Sequence, residues 1–243
     1  GKTYQVERVD APQNPKGDGP SSIQTQAELN IRIVDAATHE SVPCTLRLVD
    51  ANNRVVTESE GFRDGLRSSG LFTKVLPPGQ TRLRITRGPE YKAVEKEIIL
   101  SAGEICTLEV LLERQVDRRR QGWFAGNSHV HMIPGERTVG VDFDQVALAA
   151  RAEDLQYLSL GHAWAMENPT PESLAAELDR RSTPDCRLIW NIEAPKNYYR
   201  GDAGRCLGHC WNLGLHGCTA KGANVISLLL EASAGDYESR KPS

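Results

Sequence analysis

Two histidines one residue apart, His129 and His131, stand in the run Gly122-Trp-Phe-Ala-Gly-Asn-Ser-His-Val-His-Met132. Side chains alternate along a strand, so if this segment is a strand both imidazoles face the same way and can bind one ion. Neutral imidazole is a common ligand of zinc, iron and nickel. Water on such an ion ionises near neutral pH, and that is the chemistry of metal-assisted hydrolysis. Further donors follow in order: His162 after Leu158-Ser-Leu-Gly, Glu193 after Cys186-Arg-Leu-Ile-Trp-Asn-Ile, and His209 just before Cys210-Trp211. His129, His131, His162, Glu193 and His209 make up the candidate metal set. Trp164 and Trp211 adjoin two of these donors and are candidates for an apolar substrate pocket.

Strand ends must gather these donors. Asp142 and Asp144 can cap a helix carrying Val146, Leu148, Ala149, Ala152 and Leu155, which leads into an apolar strand from Tyr157 that ends at Gly161-His162. A second helix is predicted to open with Thr170 as cap and Pro171 in the first position, with Leu174, Ala175 and Leu178 on one side. Pro184 stops it, and the strand Cys186 to Ile192 follows. In a parallel barrel the C-terminal strand ends of such a β-α-β-α-β progression converge on one mouth, where metals and substrates bind.

Upstream the pattern is different. Residues 1–26 carry Pro12, Pro15, Gly17, Gly19 and Pro20 with little periodicity, and read as an extended arm. From Ala27 the residues alternate, with Leu29, Ile31 and Ile33 on one face. Further strands are predicted at Cys44 to Val49, Leu71 to Leu76, Thr81 to Thr86, Val94 to Leu100 and Cys106 to Leu112. The turns Asn52-Asn53, Pro77-Pro78-Gly79 and Ala102-Gly103-Glu104 separate them. With no helical period between them, these strands predict a small all-β antiparallel sandwich over 27–116. The charged stretch 117–121 reads as a linker, and 122–243 as an α/β domain.

Composition narrows the partners. A net charge of -3 leaves no basic footprint for nucleic acid or an anionic membrane, and no apolar run reaches the length of a membrane span. A small-molecule substrate is the expected partner, and the compartment stays open. The six cysteines are too scattered for the disulfide framework of a small secreted domain. Cys206, His209, Cys210, His216 and Cys218 lie close together, but without the two separated knuckles of a structural zinc module.

The hairpin run Gly70 to Gly79, leading to Arg87-Gly-Pro-Glu-Tyr91, resembles the transthyretin-like or carboxypeptidase-regulatory-like sandwich found beside many hydrolases. The downstream series resembles the PHP (polymerase and histidinol phosphatase) superfamily, most closely its carbaryl-hydrolase-like branch, in which such a sandwich often precedes the barrel. The family's Gly-Asp-Leu-His-x-His run is matched by Gly126-Asn-Ser-His-Val-His131, its Thr-Asp-His strand end by Leu158-Ser-Leu-Gly-His162, and its third motif by Ile192-Glu193 with Gly208-His209. The resemblance implies that His129, His131 and Glu193 hold one divalent ion (Zn, Mn or Fe). Glu193 would bridge to a second ion on His209, and His162 would belong to a further site.

By the same resemblance the activity is hydrolysis of a phosphoester, amide, ester or carbamate. Two residues depart from the pattern: Gly161 stands where the family has an aspartate ligand, and Asn127 where it has an aspartate before the histidine pair. A complete barrel takes roughly 200 residues or more, so a continuation beyond Ser243 or a homo-oligomer is expected. The competing reading is a non-catalytic protein with a degenerate site.

Overall fold

The computed structural model describes residues 26–57, 65–131, 142–163, 171–194, 198–199, 202–206 and 210–212. β-Strands dominate, with two α-helices among the described residues. Contacts divide the chain into two compact units: residues 1–124 with 139–155, and residues 125–138 with 156–243. No helix among the described residues is long and apolar enough to cross a membrane.

The first unit holds β1 (Ala27–Asp35), β2 (Cys44–Val49), β3 (Val55–Val56), β4 (Leu66–Ser68), β5 (Leu71–Leu76), β6 (Gly79–Thr86), β7 (Val94–Leu100) and β8 (Ile105–Leu112). One sheet has the order β5-β1-β8; the other has the order β3-β2-β6-β7, with β4 also pairing with β2. The alternation in each strand sends one row inward: Leu29, Ile31 and Ile33 of β1, Leu46 and Leu48 of β2, Leu83 and Ile85 of β6, and Leu108, Val110 and Leu112 of β8 share one buried core.

Two features correct the antiparallel reading. β1 and β8 run parallel, with Ile31 beside Leu108. Parallel neighbours need a long connection, and here the whole of the other sheet supplies it. The turn after Leu76 closes no hairpin either, because β5 pairs with β1 while β6 pairs with β2 and β7; Pro77-Pro78-Gly79 carries the chain from one sheet to the other. Gly79 meets that corner at φ +124°, with Ala51 so close that a Cβ would sit 2.8 Å from its methyl.

Helix α1 (Phe143–Ala152) groups with this unit. Asp142 caps it: its side chain accepts from the N–H of Gln145, whose own side chain accepts from the N–H of Asp142. Ala147, Ala150 and Ala152 are its buried residues, so small side chains bring the helix close to its neighbours.

A polar clamp holds the segment after the helix. Thr45 donates to the carboxylate of Glu153 at 2.9 Å, and Arg87 donates to the carbonyl of Arg151 and to Asp154 at 2.8 Å each. Arg114 pairs with the other Asp154 oxygen, stacks over the Tyr91 ring at 4.3 Å and donates to its hydroxyl. Tyr91 in turn donates to Asp35 at 2.8 Å. Burial and the Asp35 carboxylate push the Tyr91 phenol above its ordinary pKa, so it stays a donor.

The second unit holds β9 (Gly126–His131), β10 (Tyr157–Ala163), α2 (Pro171–Arg181), β11 (Arg187–Ala194), the short pair β12 (Tyr198–Tyr199) and β13 (Asp202–Cys206), and β14 (Cys210–Asn212). Its main sheet has the order β14-β11-β10-β9. β9, β10 and β11 are mutually parallel, whereas β14 runs antiparallel to β11. Leu174 and Leu178 of α2 are buried, as are Leu158, Leu160, Leu188 and Trp190 of the sheet.

Candidate metal centre

Parallel pairing brings the C-terminal ends of β9, β10 and β11 to one edge of the sheet. β9 and β10 do not pair evenly. Asn127 lies beside Leu158 and Val130 beside Leu160, so Ser128 and His129 together oppose the single residue Ser159. Such a bulge disrupts the ladder and re-aims the side chains that follow. Asn127 uses its side-chain oxygen to accept the backbone N–H of His129 at 3.1 Å, inside the bulge.

Beyond the bulge His131 lies beside Gly161, and Gly161 beside Asn191. His129, His131, Ser159 and Asn191 therefore share one face, while Val130, Leu160 and Trp190 share the other. On the first face Asn191 donates to the hydroxyl of Ser159 at 2.6 Å, and both residues are fully buried.

The two imidazoles meet. Their Nε2 atoms lie 3.2 Å apart, with ring centroids at 5.0 Å and planes tilted by 54°. Two nitrogens at about 2.0–2.1 Å from one tetrahedral ion stand roughly 3.3 Å apart, so the donor set fits a shared transition metal. The same separation also suits a hydrogen bond between two neutral rings, one donating and one accepting. Both rings are exposed.

The remaining candidates are placed by backbone register. Position 193 pairs with Ala163 and repeats the alternation of Asn191; position 162 pairs with Ile192 and repeats that of Leu160. Position 211 pairs with 193, and Cys210 with Ala194. Because β14 is antiparallel, its start, next in sequence to His209, lies at the edge where β11 ends. His209 and Trp164 lie outside the described residues, as do His216 and Cys218 of the C-terminal cluster. No group of three or more metal-ligating side chains occurs among the described residues.

The sequence reading passed over Ser159 and Asn191. Their signal was a pair of small polar residues inside otherwise apolar strands, and it gains meaning only from the register that joins them. Cys44, Cys106 and Cys186 are buried, and burial pushes the Cys44 thiol up to about 12, so it is no nucleophile at neutral pH.

No protein-family model matches the chain, and no curated protein matches it. Solved structures give partial likenesses. The minor pilin GBS52 of Streptococcus agalactiae is 17% identical with a TM-score of 0.31, over 39% of this chain and 47% of that one. The Bacillus anthracis TIE protein is 22% identical with a TM-score of 0.29, over 37% and 17%. BcpA, the major pilin subunit of Bacillus cereus, is 15% identical with a TM-score of 0.27, over 38% and 31%. The matched part spans less than half the length of each of these proteins.

Proposed function

We propose that this chain carries the first strands of a PHP-type metal-dependent hydrolase domain, preceded by a transthyretin-like sandwich. The observation that carries this reading is the 3.2 Å approach of the His129 and His131 Nε2 atoms on one strand. It is supported by parallel pairing that aligns the ends of the strands bearing positions 131, 162 and 193. His129, His131 and Glu193 would hold a divalent ion (Zn, Mn or Fe), with His209 at a second and His162 at a further position. The chemistry such an ion would supply there is activation of a water near neutral pH and polarisation of a phosphoester, amide, ester or carbamate of a small substrate. The chain's own residues do the positioning. The Asn127 side chain fixes the bulge that turns His129 and His131 to one face, and Gly161, with no side chain, leaves room beside them.

Purified protein titrated with Zn and Mn tests this by calorimetry, followed by assay of nitrophenyl phosphate, ester and carbamate substrates with the metal-loaded form. The reading requires stoichiometric metal that is lost in the His129→Ala, His131→Ala double variant. A second reading, a non-catalytic protein with a degenerate site, rests on Gly161 and Asn127 and on the 3.2 Å separation of the two rings, which also suits a direct hydrogen bond between them. Wild-type protein that binds neither ion, with stability indifferent to chelator, decides for that second reading.

A further inference from the structure

We propose that the outer face of the five-stranded sheet binds a small dicarboxylate. Arg47 of β2 lies directly opposite Arg84 of β6, and Arg82 lies opposite Val49, so three guanidinium groups rise from two adjacent strands. Like charges directly opposite one another destabilise a sheet unless an anion intervenes.

Carboxylates stand in register on β7 but leave most of this charge unmatched. Glu95 reaches Arg84 at a long 3.4 Å, with both side chains largely exposed. Glu97 sits beside Arg82, yet it accepts from Gln80 while Arg82 turns away to donate to the side chain of Asn53. The Arg47 side chain makes no hydrogen bond or ion pair among the described residues. Arg47 and Arg82 are thus two planar forks without carboxylates, on a cross-strand diagonal whose Cα atoms lie roughly 7–8 Å apart.

The space above them is a half-open hollow of ≈ 450 Å³ whose mainly polar lining includes Val49 and Val55. That volume suits a small molecule, not a polymer. Glu95 and Glu97 on the rim would repel an extended polyanion, and the chain's net charge of -3 gives a nucleic acid no further attraction. Two carboxylate-free forks on neighbouring strands suit a short dicarboxylate such as glutarate, one carboxylate to each fork. Arginine pairs with carboxylates through two parallel hydrogen bonds, which lysine cannot reproduce.

The test uses the full chain, with glutarate, butyrate and inorganic phosphate as probes at physiological salt. Calorimetry gives the affinity, and the arginine side-chain Nε–Hε resonances report the place. Glutarate is expected to saturate at millimolar concentration and to bind about tenfold or more tighter than butyrate or phosphate. Both Arg47→Gln and Arg47→Lys should lose about tenfold, the second although it keeps the charge, while Glu97→Gln binds as well as the parent or better. Phosphate binding as tightly as glutarate would reduce the cleft to a diffuse cationic surface. Unchanged affinity in Arg47→Gln, or no saturable shift of these resonances, would overturn the proposal.

Discussion

Arg114 and Asp154 meet at 2.8 Å, joining the segment just after β8 to the residue that follows the Glu153 cap of α1. Asp154 is buried, stands at φ +54° and gives its other oxygen to Arg87. Losing the carboxylate leaves two partly buried guanidinium groups without it. Asp154→Ala is therefore expected to lower unfolding stability by about 3–5 kcal/mol in urea titrations. Asp154→Asn, which tolerates the left-handed conformation and keeps one acceptor, should lose clearly less.

Gly88 sits under the same clamp. At φ +54° it packs against the Glu153 carbonyl so closely that an added Cβ would lie 2.3 Å from the oxygen. Backbone strain and overlap act together, so Gly88→Ala should cost about 2–4 kcal/mol, read as a lowered urea midpoint with unchanged slope.

Acid stability depends on Asp35. Burial alone would push its carboxyl up, but hydrogen bonds from Tyr91 and from the N–H groups of Ala37 and Thr38, with the Arg114 charge nearby, hold it below the usual carboxylate range. A pKa lowered on folding means that the unfolded chain takes up protons first. The contribution is complete above the unfolded carboxylate value of about 3.9 and is lost as pH falls through the folded one. Tyr91→Phe removes one of these bonds. It should cost about 1.5–3 kcal/mol at neutral pH and move the acid-unfolding midpoint to higher pH, followed by circular dichroism.

Metal should stabilise the protein in proportion to its occupancy. At a free zinc concentration about 100 times the dissociation constant, the gain is about 2.7 kcal/mol. The melting temperature of the parent should rise accordingly, and that of His131→Ala should not. A rise of equal size in both proteins would assign the zinc to other residues.

Asn127 tests the bulge. Asn127→Ala removes the acceptor of the His129 N–H, a bond worth about 1 kcal/mol, so zinc affinity should fall roughly fivefold while the global urea midpoint moves little. An unchanged zinc affinity would mean that the bulge holds its shape without this contact.

Much of the local structure was written in the residue pattern. Apolar pattern and the turn residues between segments marked β1, β2, β5, β7 and β8 to within a residue; in β1 the signal was alternation, because a row of side chains facing a core must recur every second position. Of the two aspartates offered as caps, Asp142 takes that place, because its carboxylate can accept an N–H left free in the first turn; its reciprocal partner Gln145 emerged only from the structure. β3 and β4 went unseen: two- and three-residue strands are too short to show a period, and only their pairing with β2 defines them.

By itself the sequence determined that His129 and His131 lie on one side of a strand, because strand geometry fixes what residues two apart can share. Which side that is depended on the bulge at Ser128 and His129. One extra residue exchanges the two faces, and without it the imidazoles would have shared the face of Leu158 and Leu160 instead of that of Ser159 and Asn191. The same holds for the parallel pairing of β1 with β8 and for the grouping of α1 with the sandwich strands. Both rest on contacts between segments far apart in the chain, and the period of a segment carries no information about its distant partner.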